Sequence, residues 1–181
     1  PAEQMPTHQS EYTSERQTYF LQSNSELIVP LIWKGDNGVV VTKNYHFKPD
    51  SYIVEVDYLI SNNSNTDQIV SSYTQLSHGS EKESGGSFMM GMQNFSGGAT
   101  YNDEEIFEKI DFEDFDSSPK TTSIGGWAAM IQHYFFAAWI PNDDEKHTYS
   151  TKSSRGKYLL TTVNPSSRIA AGTTASLGKN Q

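Results

Sequence analysis

Hydrophobic and polar positions alternate from Leu27 onward in a pattern that favours β-strands. Two apolar, β-branched runs, 27–33 and 39–47, flank the polar tetrapeptide Gly35-Asp36-Asn37-Gly38. Asn-Gly between two such runs is the strongest short-range signal for a β-hairpin. The pattern therefore predicts a hairpin at this point of the chain.

Further strands follow the hairpin. In 52–60, apolar residues alternate with Glu55 and Asp57, which is the period of a strand with one buried face. Residues 68–77 predict another strand and continue an antiparallel meander. Three more runs near the C-terminus, 147–152, 157–163 and 168–175, have the same β character.

One segment has the spacing of a helix instead. Trp127, Met130, Ile131 and Tyr134 lie at i, i+3, i+4 and i+7, which places them on one apolar stripe and predicts a short helix over 127–134. A second short helical turn is predicted over 103–109, because Asn102 and Glu105 have the spacing of a capping box. Residues 135–140, before Pro141, are predicted to form a buried strand.

Composition agrees with a mainly β fold of antiparallel strands and one or two short helices. Aromatic residues make up 12% of the chain and charged residues only 19%. Residues 1–17 are polar and aperiodic, and we predict a flexible leader there. The remaining 18–181 are predicted to form a single β-sandwich domain, because a chain of this length ordinarily builds one core.

The charge balance excludes one class of partner. The chain has 13 Lys and Arg against 22 Asp and Glu, a net charge of −9. Only three of the cations are arginines: Arg16, Arg155 and Arg168. Such a chain has no basic stripe to neutralise phosphates, so we expect no nucleic-acid partner.

The sequence carries no catalytic signature. It has no cysteine, which excludes thiolate metal sites, cysteine nucleophiles and disulfides. The five histidines have no metal-binding spacing, and neither a P-loop nor a GxSxG elbow is present. From its residues the chain is predicted to be a binding or scaffolding β domain, not an enzyme, with no metal and no cofactor.

One uninterrupted segment, GGWAAMIQHYFFAAWIP from Gly125 to Pro141, resembles a known family. It is similar to a segment in the large first periplasmic domain of the YidC-type membrane protein insertases of Gram-negative bacteria. The residues that carry this structural motif are Gly125, Gly126, Trp127, Met130, Gln132, Tyr134, Phe135, Trp139 and Pro141.

The resemblance implies a fold and a function. The fold is a β-supersandwich, with two large antiparallel sheets packed face to face. The function is that of a non-catalytic periplasmic domain of an inner-membrane insertase and chaperone, which inserts and folds membrane proteins alone or with the Sec translocon. Its implied partners are the SecD–SecF auxiliary proteins and nascent membrane proteins. The transmembrane insertase core is expected to lie outside this chain and to provide the membrane anchor.

An alternative function comes from another class. Supersandwich domains elsewhere bind sugars, so a cleft lined by Trp33, Tyr45 and Tyr58 is predicted to hold a glycan or an extended peptide in a periplasmic protein. This alternative rests on analogy between folds, and a shared fold does not imply a shared function.

Overall fold

Antiparallel strands account for most of the chain in a computed structural model, which describes residues 5–23, 25–79, 95–102, 107–132, 134–142 and 144–180. The mainly β prediction is confirmed. Within those ranges the regular elements are a 3-10 helix (Phe112–Asp114) and the strands β1 (Leu27–Lys34), β2 (Val39–Phe47), β3 (Val54–Asn62), β4 (Gln68–Val70), β5 (Tyr73–Gly79), β6 (Ser96–Tyr101), β7 (Glu108–Asp111), β8 (Thr121–Ile124), β9 (Trp127–Gln132), β10 (Phe135–Trp139), β11 (Lys146–Ser154), β12 (Lys157–Val163), β13 (Ser167–Ile169) and β14 (Thr173–Asn180).

The strands divide between two compact units. The first unit combines Pro1–Ser72 with Ser166–Gln181, and the second is the continuous stretch Tyr73–Pro165. The strands form three four-stranded sheets and one two-stranded sheet, where two large sheets were expected. No helix among the described residues is long and apolar enough to cross a membrane.

The first unit is built on the predicted hairpin, which the structure confirms. Strand β1 pairs with β2 from Leu27 opposite Phe47 to Lys34 opposite Val40. In the turn, Asn37 Oδ1 accepts a hydrogen bond from Val39 N at 3.1 Å, and Gly38 has a φ of 87°. A side chain at that φ would be strained, so the Asn-Gly pair fixes the turn and the register.

The four strands of this sheet, in the order β1-β2-β3-β14, bury one face. Trp33 lies opposite Val41, and Val41 lies opposite Ile60, so the three side chains share that face. The two-stranded β4–β13 ladder adds Val70 and Ile169 to the same core. This core is apolar and continuous, which stabilises the pairing of strands that are distant in sequence.

The N-terminal segment contacts this unit. Thr13 and Ile32 exchange two backbone hydrogen bonds of 2.8 Å along the outer edge of β1. Met5 and Tyr12 pack against the core cluster of Trp33. These contacts fix part of the segment that the sequence predicts as a flexible leader, and a domain boundary at residue 17 stays a prediction.

The second unit is a sandwich of two four-stranded sheets. One sheet has the order β10-β9-β6-β7 and the other the order β5-β12-β11-β8. The buried residues between them include Met130 from the first sheet, Tyr149 and Leu160 from the second, and Phe115 from the turn that follows the 3-10 helix. The predicted sandwich of packed antiparallel sheets is therefore confirmed in this unit.

The helix predicted over 127–134 is wrong, because Trp127–Gln132 form strand β9. Ala128, Ala129 and Met130 are all buried, so β9 is a central strand covered on both faces. A short run that is apolar on both faces has the same pattern in a strand as in a helix, and periodicity cannot separate the two.

The second helical turn and the meander also differ from expectation. Residues 103–106 of the predicted turn lie outside the described residues, and Glu108–Asp111 form strand β7, not helix. The single strand expected over 68–77 is two strands, because β4 pairs with β13 whereas β5 pairs with β12. The meander ends at β3, whose second neighbour is β14.

Adjacent residues on opposite faces of β3 test the assignment of the core. Ile60 is 4% exposed and Leu59 is 42% exposed. We expect Ile60→Ala to lower the free energy of unfolding by about 2–5 kcal/mol, because it leaves a cavity. Leu59→Ala should cost less than about 1 kcal/mol. Urea unfolding followed by tryptophan fluorescence measures both, and equal losses would contradict this assignment.

A carboxylate beside β4 makes the stability of the first unit depend on pH. Asp67 accepts hydrogen bonds from Ala171 N at 2.9 Å and from the Arg168 guanidinium, and these contacts lower the pKa of Asp67. Because the folded pKa lies below the unfolded one, the stabilisation is present above about pH 4 and is lost as the pH falls further.

We therefore expect Asp67→Asn to lower the melting temperature at neutral pH, with a difference from the parent that shrinks below about pH 4. Melting curves from pH 7 to pH 2.5 measure this difference. The control is Asp36→Asn, at an exposed position in the β1–β2 turn, and it should melt like the parent throughout. A difference that stays constant with pH would contradict the role of the Asp67 charge.

Candidate functional site

The motif segment forms the β9–β10 hairpin, and it begins at two glycines whose backbone requires them. Gly125 and Gly126 have φ values of 66° and 87°. A Cβ on Gly126 would lie 2.1 Å from the carbonyl oxygen of Tyr101. Tyr149 Oη donates a buried hydrogen bond of 2.7 Å to Gly125 O. This close approach fixes the point at which β9 enters the sheet.

The residues after the glycines anchor the hairpin on both faces of the sheet. Trp127 stacks on Tyr101 with ring centroids 5.9 Å apart and also contacts the Phe107 ring. On the other face Met130 is buried in the core between the sheets. Trp127 and Met130, which helical spacing would place on one stripe, therefore contact opposite faces of the sheet.

The second strand of the hairpin returns towards the core. Trp139 lies opposite Ala128, and its Nε1 is buried with no hydrogen-bond partner among the described residues. Pro141 is buried, and the following Asn142 O lies 2.8 Å from Nε2 of the fully buried His147. Gln132, the last residue of β9, lies opposite Phe135.

The tip of the hairpin is exposed instead. Tyr134, Phe135 and Phe136 are 83%, 78% and 76% exposed. The sequence predicts a buried strand over 135–140, and this prediction is wrong for the first part of β10, where Phe135, Phe136 and Ala137 are exposed. The motif therefore consists of a buried anchor and an exposed aromatic tip.

The three aromatic residues of the predicted cleft lie on one face of the first unit's sheet. Trp33 is only 8% exposed and belongs to the core cluster, against which Tyr58 also packs. Tyr58 and Tyr45 flank Lys43, whose Nζ lies 5.8 Å and 4.9 Å from their ring centroids. Binding of a glycan or peptide at these residues stays a prediction.

The opposite face of the same sheet carries a polar cluster that sequence reasoning missed. His46 Nε2 lies 2.5 Å from Asp57 Oδ2, and Asn44 Nδ2 donates to Asp57 Oδ1 at 3.0 Å. His46 Nδ1 lies 3.4 Å from Glu26 Oε1, close enough for attraction but misaligned for a hydrogen bond. A signal was available, because antiparallel pairing of the two predicted strands, 39–47 and 52–60, brings these polar positions together.

An ion pair extends this cluster towards the turn between β2 and β3. Lys48 Nζ lies 2.6 Å from Glu55 Oε1, and this hydrogen bond raises the pKa of Lys48. Within the described ranges, no three His, Asp or Glu side chains converge in the manner of metal ligands. The cluster therefore consists of hydrogen-bonded polar side chains and the Lys48–Glu55 ion pair on a sheet surface.

The fold and the hairpin define a class of protein: a β-sandwich domain that presents an anchored, glycine-initiated aromatic hairpin. The sequence profile described as "YidC periplasmic domain" matches residues 1–180. The chain belongs to this family, as its motif segment predicted.

Curated relatives agree with the family. The chain is 46% identical over 177 residues to "Membrane protein insertase YidC" of Vesicomyosocius okutanii, covering 98% of this chain and 32% of that protein. It is 40% identical over 176 residues to the protein of the same name from Methylobacillus flagellatus, covering 96% and 31%. The chain thus spans about a third of the length of the relatives it matches.

A solved structure is more distant. The Slr1438 protein from Synechocystis sp. PCC 6803 aligns with a TM-score of 0.38 and 13% identity, over 94% of this chain and 64% of that one. This likeness is too low to carry an argument about fold or function.

Two glycines separate the cost of backbone strain from the cost of a steric clash. Gly172 has a φ of 72° and nothing within 4 Å of an added Cβ, whereas Gly126 has both a positive φ and the Tyr101 carbonyl in the way. We expect Gly172→Ala to cost about 1–2 kcal/mol of stability. Gly126→Ala should cost at least about 3 kcal/mol, since strain and clash add. Denaturant unfolding measures both, and similar costs would contradict the close approach.

Proposed function

We propose that this chain is the periplasm-facing, non-catalytic interaction domain of an inner-membrane protein insertase, which inserts and folds membrane proteins alone or with the Sec translocon. The observation that carries the proposal is the family match over residues 1–180 together with relatives that are named membrane protein insertases. The transmembrane core of such an insertase performs insertion, and this domain serves as a scaffold that contacts partners.

The geometry of the polar cluster supports a non-catalytic function. A histidine that acts as a general base needs one ring nitrogen facing the group from which it removes a proton. Both ring nitrogens of His46 instead face carboxylates, those of Asp57 and Glu26. Both ring nitrogens of His147 are also occupied, because this fully buried side chain lies between Asn142 O and Asn164 Oδ1.

We propose the SecD–SecF auxiliary complex and nascent membrane proteins as partners. The first unit offers exposed apolar side chains on a scaffold with a continuous core. Tyr52, Ile53 and Ile69 are 107%, 51% and 76% exposed. Tyr52 and Ile53 are neighbours in the chain, and adjacent exposed apolar side chains are typical of protein-interaction sites. This supports a scaffold role for the unit.

Site-specific photocrosslinking in the full-length insertase that contains this domain tests the proposal. The crosslinking amino acid replaces exposed residues of each unit in turn: Tyr52, Leu59, Ile69, Ile124 and Lys157. We expect at least one of these positions to yield a crosslinked product with SecD or SecF in living cells, because an interaction module must bring some exposed side chains within reach of its partner.

The matched control is Ile60, which neighbours Leu59 but is only 4% exposed. Crosslinking from Ile60 should be absent, since its side chain lies in the core. Failure to obtain SecD or SecF products from every exposed position would contradict the proposed partnership. Crosslinks to nascent membrane proteins alone would contradict the SecD–SecF partnership and support contact with substrate proteins.

The glycan- or peptide-binding alternative is favoured by one observation. Lys43 lies between the rings of Tyr45 and Tyr58, and aromatic rings beside a cation are common features of sugar and peptide sites. A glycan array and a library of extended peptides test it. Binding that is lost in Tyr45→Ala, together with an absence of Sec crosslinks, would make this alternative the function.

A further inference from the structure

The aromatic tip of the β9–β10 hairpin is not explained by the packing of the domain. We call Tyr134, Phe135 and Phe136 the aromatic tip. All three are at least 76% exposed, although burial of such rings is strongly favourable. Neighbouring residues of a strand point to opposite faces, so Phe135 and Phe136 are exposed on both faces of β10. The exposed aromatic surface is therefore not confined to a single face of the strand.

The charges around the tip show what kind of surface it can approach. From Gly125 to Asn142 the chain contains no Asp, Glu, Lys or Arg, although its net charge is −9. The hairpin is thus a neutral projection from an acidic protein, and it can meet another surface without carrying charge into the contact.

Contacts between the two sheets show which charged residues lie at the same end of the second unit as the aromatic tip. Phe136, Ile131, Gly97 and Asp111 form one row across the first sheet. The next residue, Phe112, stacks on Tyr158 at the end of the second sheet with ring centroids 4.2 Å apart. The aromatic tip and the β11–β12 turn therefore lie at the same end of the sandwich.

Charges of both signs lie at that end of the sandwich. The β11–β12 hairpin carries the exposed cations Lys152, Arg155 and Lys157, and the segment around the 3-10 helix carries exposed carboxylates, which are Asp111, Glu113, Asp114 and Asp116. Their charges largely offset one another. Long-range electrostatics should therefore contribute little to what this end binds, and the aromatic side chains should dominate.

We propose that the aromatic tip inserts into the interfacial layer of a lipid bilayer. A rigid protein partner would cover one face of β10, whereas a fluid interface can surround side chains that are exposed on both faces. Tyrosine and tryptophan are enriched at the level of the lipid headgroups, and interfacial segments bury phenylalanine and other apolar side chains at the boundary between the headgroups and the acyl chains. The inference rests on the proposed function, which keeps this domain close to the membrane.

Vesicle flotation with the 181-residue chain tests the proposal. We expect the chain to float with vesicles of phosphatidylcholine at low and at high salt. Vesicles that also contain phosphatidylglycerol should bind it no more tightly, because the net charge of −9 provides no attraction to an anionic surface. The double variant Phe135→Thr/Phe136→Thr keeps strand-forming residues but removes both rings, and its partition into vesicles should fall at least about tenfold.

The matched control removes equally exposed aromatic rings elsewhere. Phe20→Thr/Tyr52→Thr changes residues that are 80% and 107% exposed in the first unit, and its partition should equal that of the parent. Both double variants should melt at the parental temperature. Phe136→Trp keeps an aromatic tip, so it should bind like the parent, with a blue-shifted emission that brominated phosphatidylcholine quenches.

Four results would overturn the inference. They are no flotation of the parent chain, an equal loss in the control variant, binding that requires phosphatidylglycerol and disappears in high salt, and unquenched emission from Phe136→Trp. Two other outcomes would replace the bilayer with another binding partner. If sedimentation shows a dimer that Phe135→Thr/Phe136→Thr dissociates, the tip binds a second copy of the chain. If β10 pairs with an extended peptide, the tip binds a protein. Sec crosslinking is measured separately, so failure of the proposed function and failure of the lipid contact are distinguishable.

Discussion

The contact between the Gly126 backbone and the Tyr101 carbonyl oxygen determines how the second unit is assembled. No other residue type fits, because an added Cβ would lie 2.1 Å from that oxygen and φ is 87°. With this point fixed, Trp127 stacks on Tyr101, Met130 enters the core, and the end of β9 extends to the far side of the sheet. The close approach at the start of β9 therefore positions both the buried anchor and the exposed tip that follows the end of this strand.

In the first unit the corresponding constraint is the division of one sheet into two unlike faces. Trp33, Val41 and Ile60 occupy the buried face. The intervening positions carry His46 and Asp57 on the other face. A one-residue slip in register would exchange the two sets and bury the charges. The turn at Asn37 and Gly38 and the apolar core therefore specify the same register independently.

The sequence predicts those parts of the fold in which local chemistry and tertiary packing agree. The hairpin of β1 and β2 is one of these, because Asn37-Gly38 specifies the turn whatever surrounds it. The pairing of β3 with β14 is not, because the partners are more than a hundred residues apart and no local signal selects them. Strand β9 is misread as a helix since burial on both faces removes the alternation that marks a strand.

The candidate site shows the same limit. The motif from Gly125 to Pro141 identifies the family, and the close approach at Gly126 gives it a structural reason. Exposure of Phe135 and Phe136 could not be predicted, because an apolar run does not show how much of it the rest of the fold covers. His46 and Asp57 lie on two strands that the sequence predicts, but finding the pair required the register between those strands.

The insertion of the second unit within the first has a consequence for the order of folding. Tyr73–Pro165 is continuous, whereas the first unit is completed only by residues after Ser166. The second unit can therefore form as soon as its own residues have left the ribosome or the translocation channel. Strand β3 has a free edge until β14 arrives, and β4 waits for β13. The edge of β3 therefore stays unpaired while the inserted unit is being synthesised. A factor that binds nascent chains can reach this edge during that interval.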